Sequence, residues 1–247
     1  MAEMTRYPAG TPSWVELASP DLDDSKRFYG GLFGWAAEPG MFLLRGKPVA
    51  GLGPLAPEGA PPSWSTFVPV DDAGKATSIA REHGATVVVE PMDVLDAGRV
   101  ATFVDPTGAR LSLWQPRAHI GAALVNQPNT LCWNELATRA INEAKDFYRA
   151  VFGWVGDTNA FEGTTYTEWK LGERSVGGMI QIDEDWPDEI PSHWIVYFHV
   201  DDCDAAARHA EELGAKVSVP PTDIPPGRFA VITDPQEAMF SIIQPAE

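Results

Sequence analysis

Short runs of alternating apolar and polar residues recur along this chain, each bounded by Gly, Pro or Asp. SWVELAS, from Ser13, alternates with aromatic and β-branched content and predicts a strand. Asp21 to Asp24 then offer capping oxygens and negative charge to a helix start. SKRFYGGLF follows with Phe28, Tyr29, Leu32 and Phe33 at helical spacing. MFLLRG and PVAGLGPL predict two strands around a Gly-Lys-Pro turn. The order then repeats. WSTFVPV is a strand, Asp71 and Asp72 cap a helix, and AGKATSIAREHG runs to a C-terminal glycine, Gly84. ATVVVEP, GRVATFVDP and ARLSLWQP complete a second βαβββ unit. Paired strands after each helix argue against a doubly wound parallel sheet, which needs strict βα alternation.

The whole pattern is written twice. FYGGLFGW from Phe28 meets FYRAVFGW from Phe147 at an offset of 119, as WVELA meets WNELA. VDDAGKA from Val70 meets VDDCDAA from Val200 at 130, and AGRVATFVDP meets PGRFAVITDP at 129. The drift implies net insertion in the second copy, largely within EGTTYTEWKLGERS. The expected fold is α+β: four βαβββ units forming two tandem cup-shaped mixed β-sheet domains, at residues 9–115 and 131–247. Residues 116–130 form a linker, whose AHIGAALV stretch is too apolar for free solvation and should lie on a domain surface.

These landmarks resemble the vicinal oxygen chelate superfamily, which includes glyoxalase I, bleomycin-resistance proteins, extradiol dioxygenases and methylmalonyl-CoA epimerase. SPDLDDSKRFYGGLFGW, FVPVDDAGKATSIAREHGA, VATFVDPTGARLSLWQP and their second-copy counterparts carry the resemblance. The paired WxEL openings resemble a tandem two-domain glyoxalase-like subgroup. The resemblance fixes fold better than reaction, because one fold hosts many functions.

Metal-using members take His or Gln, His, and Glu from three strands. By resemblance those positions fall here on Trp14, Ser65 and Ser112 in copy one, and on Trp133, Ile195 and Ser241 in copy two. No metal and no other cofactor is therefore expected. The alternative is a metal-dependent lyase or dioxygenase with relocated ligands, using Glu135 with His193 and His199. His83, His119 and His209 read as surface or linker residues.

Strand alternation then assigns the cup faces. Trp14, Glu16, Ser65, Phe67, Ser112 and Trp114 should line the first cup. Trp133, Glu135, His193, Tyr197, His199, Ser241 and Ile243 should line the second, with Trp194, Val196, Phe198 and Val200 packing beneath. Aromatic walls with few polar groups suit a planar hydrophobic ligand. Glu135, His199 and Tyr197 are the candidate catalytic residues. Trp133, His193, Ser241, Trp14, Glu16, Phe67 and Trp114 are the candidate ligand contacts. Glu16 and Glu135 read equally as structural carboxylates. The function expected is sequestration of such a molecule, or its tailoring by metal-independent isomerase-, lyase- or hydratase-type acid–base chemistry, in natural-product biosynthesis or resistance.

Charge and composition narrow the partners. A net charge of −17 repels phosphate backbones and anionic lipid heads, so neither nucleic acid nor membrane is expected. MAEMTRYPAGTPSW lacks the pattern of a signal peptide, and no apolar run approaches a membrane span. Cys132 and Cys203 show no pairing motif and read as free thiols of a cytoplasmic protein, a monomer or homodimer.

Overall fold

The computed structural model describes residues 3–56, 59–161 and 164–246. The first copy runs β1 (Trp14–Ser19), α1 (Leu22–Phe33), β2 (Ala36–Glu38), β3 (Met41–Leu44), β4 (Lys47–Pro54), β5 (Ser63–Pro69), α2 (Ala73–Glu82), β6 (Thr86–Val94), β7 (Gly98–Val104) and β8 (Arg110–Pro116). The second runs β9 (Leu131–Thr138), α3 (Ile141–Phe152), β10 (Val155–Phe161), β11 (Thr164–Leu171), β12 (Arg174–Gln181), β13 (His193–His199), α4 (Cys203–Glu212), β14 (Lys216–Ile224), β15 (Gly227–Thr233) and β16 (Met239–Pro245). Two eight-stranded sheets result, ordered β2-β3-β4-β1-β5-β8-β7-β6 and β10-β11-β12-β9-β13-β16-β15-β14. The α+β class and the four βαβββ units are those expected.

Local chemistry explains the elements. The repeated VDD is a capping device: Asp72 accepts from the Lys75 amide at 2.9 Å and Asp202 from the Ala205 amide at 2.8 Å. Asp21 caps α1 through the Asp23 and Asp24 amides. Gly34 and Gly153 end α1 and α3 in the left-handed region. Two details differ from expectation. The short strand β2 was not anticipated, since AAE has no alternation to read. The β3–β4 turn is Arg45-Gly46, both at positive φ, and Lys47 already opens β4. The second copy's insertion is the longer β10–β11 hairpin. Glu162 and Gly163, which open the EGTTYTEWKLGERS stretch in sequence, lie outside the described residues, as does Glu247 at the expected end of the second domain.

The two copies do not keep separate cores. α1 of the first packs with α4 of the second, over Leu17, Phe33, Trp35, Phe198 and Phe240. α2 of the first packs with α3 of the second, over Leu111, Leu113, Leu136, Tyr148 and Trp154. The helix-bearing faces of the sheets therefore meet, and the opposite faces form the cups. Trp194, Val196, Phe198 and Val200 all point into this shared interior, as alternation predicts. Among the described residues, no helix is long and apolar enough to cross a membrane.

Each core holds one buried polar relay. The Tyr29 hydroxyl donates to Asp234 Oδ2 at 2.8 Å and accepts from Trp64 Nε1 at 3.0 Å. Its counterpart Tyr148 donates to Asp105 Oδ2 at 2.6 Å and accepts from Trp194 Nε1 at 3.0 Å. The second oxygen of each aspartate closes its own turn, accepting from Ala109 or Ala238 amides. Tyr148→Phe should thus leave a buried carboxylate oxygen and an indole N–H unpaired, costing about 1–3 kcal/mol. Urea unfolding checks this. Tyr148→Phe should couple strongly to Asp105→Asn in a double-mutant cycle, and add independently to Tyr29→Phe in the other core.

Candidate functional site

Four strands set a matching transverse row across each cup. In the first, Trp14 faces Phe67, Phe67 faces Ser112, and Ser112 faces Thr102. In the second, Trp133 faces Tyr197, Tyr197 faces Ser241, and Ser241 faces Val231. Above the row sits a glutamate on the first strand of each copy, Glu16 beside Gly51 and Glu135 beside Gly178. The glycines are required. A β-carbon at Gly51 would lie 2.7 Å from Glu16 Cγ, and one at Gly178 would lie 1.9 Å from the Tyr166 hydroxyl.

The second cup is built around Glu135, which is only 6% exposed. Tyr197 donates to its Oε1 at 2.9 Å. Tyr166, from the inserted hairpin, accepts from Trp133 Nε1 at 3.0 Å and stands near enough to favour the ionised carboxylate. Burial dominates nonetheless and raises the Glu135 pKa, with Tyr197 and Tyr166 opposing it. Burial likewise pushes the Tyr197 phenol well up, reinforced by the Glu135 charge. A desolvated carboxylate held by one phenol with a second close by can accept a proton, or an O–H from a ligand. Trp133, half-buried, forms the wall.

The first cup lacks this chemistry. Phe67 stands where Tyr197 stands, and among the described residues the Glu16 side chain makes no hydrogen bond; burial raises its pKa. The linker also enters the cup. The His119 ring meets Trp14 edge-on at 4.5 Å, and the His119 carbonyl accepts from Trp114 Nε1 at 2.8 Å. Ala122 packs with Trp14, Phe67 and Trp114, its amide donating to the Ser13 carbonyl and its carbonyl accepting from Tyr7. The three aromatic residues expected to contact ligand are thereby sealed to 6–9% exposure. His119 is thus a linker residue whose half-buried ring lies against Trp14, and burial lowers its pKa.

The remaining candidates separate. Antiparallel register sets Ile195, not His199, opposite Glu135, and a bulge follows Tyr197. His199 lies at the far end of β13, half-buried, its pKa lowered by burial. Glu135 is not among the groups that perturb it. His193 lies at the other end, its Nδ1 2.8 Å from the Pro191 carbonyl and its ring near Trp186. Ser241 is fully buried; its hydroxyl lies close to the Tyr197 oxygen and has, among the described residues, no partner in full hydrogen-bonding geometry. Among the described residues, no three His, Cys, Asp or Glu side chains converge, so the relocated set of Glu135, His193 and His199 is not assembled. The family positions do not fit a divalent ion either: Trp14, Trp133 and Ile195 have no donor atom, and Ser112 is bonded to Thr102 at 2.9 Å. Surface grooves elsewhere, one lined by Val70, Lys75 and Phe152 and one by His83, Asn142 and Asp146, include none of the cup residues. Tyr166 was missed because it lies in the part of β11 that extends past the shorter first-copy β2–β3 hairpin; a tyrosine placed to meet a cup glycine was its one signal.

Known proteins share this plan. The family model described as Glyoxalase/Bleomycin resistance protein/Dioxygenase superfamily matches residues 11–113 and 128–242. The chain is 42% identical over 261 residues to "Putative glyoxylase CFP32" of Mycobacterium tuberculosis (strain CDC 1551 / Oshkosh), covering 100% of this chain and 99% of that protein. It is 37% identical over 264 residues to "Anthracycline biosynthesis protein DnrV" of Streptomyces peucetius, covering 98% and 95%. In solved structures its fold matches a Mn(II)-bound glyoxalase from Novosphingobium aromaticivorans with TM-score 0.67 at 14% identity, over 97% of this chain and 83% of that one. It also matches the 2,3-dioxygenase LapB from Pseudomonas sp. KL28 with TM-score 0.64 at 15% identity, over 100% and 94%. At these identities the structural likeness is one of fold.

The raised Glu135 pKa has a measurable sign. The folded state holds this proton more tightly than the unfolded chain, whose ordinary value is 4.5. The associated stability is full below that pH and is lost as pH rises through the elevated folded value. Glu135→Gln removes the titration and leaves Glu16 unchanged in both proteins. The stability of the natural protein relative to Glu135→Gln should therefore fall as pH rises above 4.5, then level, by about 1.4 kcal/mol for each unit of elevation. Urea unfolding of both proteins from pH 4 to 8 checks this; a flat difference contradicts it.

Proposed function

We propose that this chain, which belongs to the Glyoxalase/Bleomycin resistance protein/Dioxygenase superfamily, binds a planar, largely hydrophobic small molecule in its second cup. There Glu135 moves a proton on the ligand, without a metal at the family position. The observation that carries this reading is the contrast between the cups: Glu135 is clamped by Tyr197 beside a half-buried Trp133, while the matching first-cup tryptophan is sealed by the linker. Trp133 supplies a stacking face. Glu135, kept from water, is a stronger base than an exposed carboxylate and is poised to deprotonate a carbon acid and return the proton elsewhere on the same molecule. The relatives named for anthracycline biosynthesis support a role in natural-product chemistry, since anthracyclines are built on fused planar rings.

Sequestration without turnover is the second reading. It is favoured by the hydrogen bond that Glu135 already accepts from Tyr197, an arrangement that also serves a purely structural carboxylate.

Anthrone separates the two. It is a flat tricyclic ketone with an acidic ring methylene, and its binding can be followed by tryptophan quenching. Trp133→Ala should weaken binding about tenfold, as expected for loss of a stacked, desolvated aromatic contact. Glu135→Gln should leave affinity nearly unchanged and slow protein-catalysed deuterium exchange at the methylene about 100-fold, a typical acid–base contribution. Exchange unaffected by Glu135→Gln, with binding still lost in Trp133→Ala, leaves sequestration standing. Indifference to both substitutions in stably folded protein removes the second cup from consideration. Elemental analysis of protein purified without added metal should find well under one equivalent of divalent ion. A full equivalent, or exchange abolished by chelator and restored by metal, overturns the metal-free reading.

A further inference from the structure

The tryptophan that heads each cup row is held in a different way. In the first cup the His119 ring stands edge-on against Trp14 at 4.5 Å, and Ala122 packs beside it. Trp133 is half-buried and is held by its own polar edge: its Nε1–H donates to the Tyr166 hydroxyl at 3.0 Å. Tyr166 lies in β11, opposite Asn159 of β10 and Ile180 of β12. Gly178 is where Trp133, Tyr166 and Glu135 meet. It lies opposite Glu135 across the β9–β12 pairing. A β-carbon there would stand 1.9 Å from the Tyr166 oxygen and 2.9 Å from Trp133 Nε1. At the matching first-cup position, a β-carbon on Gly51 would instead meet Glu16, 2.7 Å from its Cγ. The same bare stretch of backbone thus seats a carboxylate in one cup and a phenol–indole bond in the other. Burial, and then the Glu135 charge, raise the Tyr166 pKa, while Tyr166 draws the Glu135 pKa down against burial, so the two groups stand close. Linked hydrogen-bonding groups polarise one another, so a change of charge at one end is felt at the other.

We infer that Tyr166 is a positioning residue of the second cup, its hydroxyl tying the indole edge of Trp133 to the carboxylate of Glu135 so that stacking wall and proton acceptor keep one relative placement. This rests on the proposed reaction at Glu135 and adds to it the group that sets where a stacked ligand lies against the base. Tyr197 bonds Glu135 from the neighbouring strand and leaves the indole N–H to Tyr166. A base displaced from the atom it must deprotonate loses rate more than affinity.

The test begins without ligand. The Trp133 indole N–H resonance, assigned by its loss in Trp133→Phe, is followed by proton–nitrogen NMR from pH 4 to 9. It should move as Glu135 titrates, and should stop moving in Glu135→Gln and in Tyr166→Phe. Gly178→Ala, whose β-carbon displaces the Tyr166 oxygen, should uncouple it as well. Tyr197→Phe should keep the titration and shift it to higher pH, because a group favouring the ionised carboxylate is gone. A resonance indifferent to pH in the natural protein, or one that still titrates in Tyr166→Phe, overturns the inference. Turnover supplies the second readout. With saturating anthrone, Tyr166→Phe should slow deuterium exchange about tenfold, the scale of one lost hydrogen bond, with KM nearly unchanged. The pH midpoint of exchange should rise for the reason given for Tyr197. A phenol that only fills space would leave that midpoint in place, and a natural rate and midpoint in Tyr166→Phe overturn the inference too. If the indole titrates through Tyr166 while the natural protein exchanges no anthrone proton, the proposed function fails and the coupling stands.

Discussion

Two buried phenol–carboxylate bonds cross between the copies and fix how their shared apolar cores meet. Tyr29 on α1 reaches Asp234 of the second copy, and Tyr148 on α3 reaches Asp105 of the first. Each aspartate stands in the Asp-Pro turn before a final strand, so the turn that orders one sheet edge also anchors a helix of the other copy. Removing such a charge from water is tolerable only when its oxygens are saturated. Each carboxylate meets this demand with backbone amides on one oxygen and a tyrosine on the other. The tyrosine in turn satisfies an indole N–H, Trp64 or Trp194. The relays pin the helix-bearing faces together and leave the opposite faces free to specialise.

That freedom has been used differently in the two cups. Both keep the tryptophan, the glutamate and the glycine that seats it. The first closes on itself: Ser112 pairs with Thr102, Phe67 carries no hydroxyl, and His119 and Ala122 fill the space above Trp14. The second has Tyr197 where the first has phenylalanine and Val231 where it has threonine, and a longer hairpin that delivers Tyr166. Both carboxylates are desolvated, and these three differences give the second one a phenol partner that Glu16 lacks.

Much of this was legible in the sequence, for physical reasons that differ by feature. Helix caps are local, so Asp72 and Asp202 could be read directly. Alternation is local too, which is why Trp194, Val196 and Phe198 were placed in the core and Tyr197 and Ser241 on the cup side. Register is not local. Period-two reasoning puts Tyr197 and His199 on one face, but it does not say which faces Glu135. The antiparallel pairing chose Ile195, and His199 then falls four residues along, about 13 Å at the usual strand rise. Of the three candidate catalytic residues, Glu135 and Tyr197 are bonded and His199 stands apart. The linker's apolar character announced that it would be covered, but not that His119 would enter the first cup.

A polar group left unsatisfied in a folded interior is selected against unless something recovers its cost. The first copy supplies the comparison within the same molecule: an equivalent serine, on an equivalent strand, has a partner that this fold accommodates without strain. The second copy could hold a threonine opposite Ser241 and holds a valine instead. What distinguishes the second row is its phenol: Tyr197 lies against Ser241 on one side and bonds Glu135 on the other, so serine, phenol and carboxylate form one buried polar line where the first cup has Phe67 and a closed Ser112–Thr102 pair.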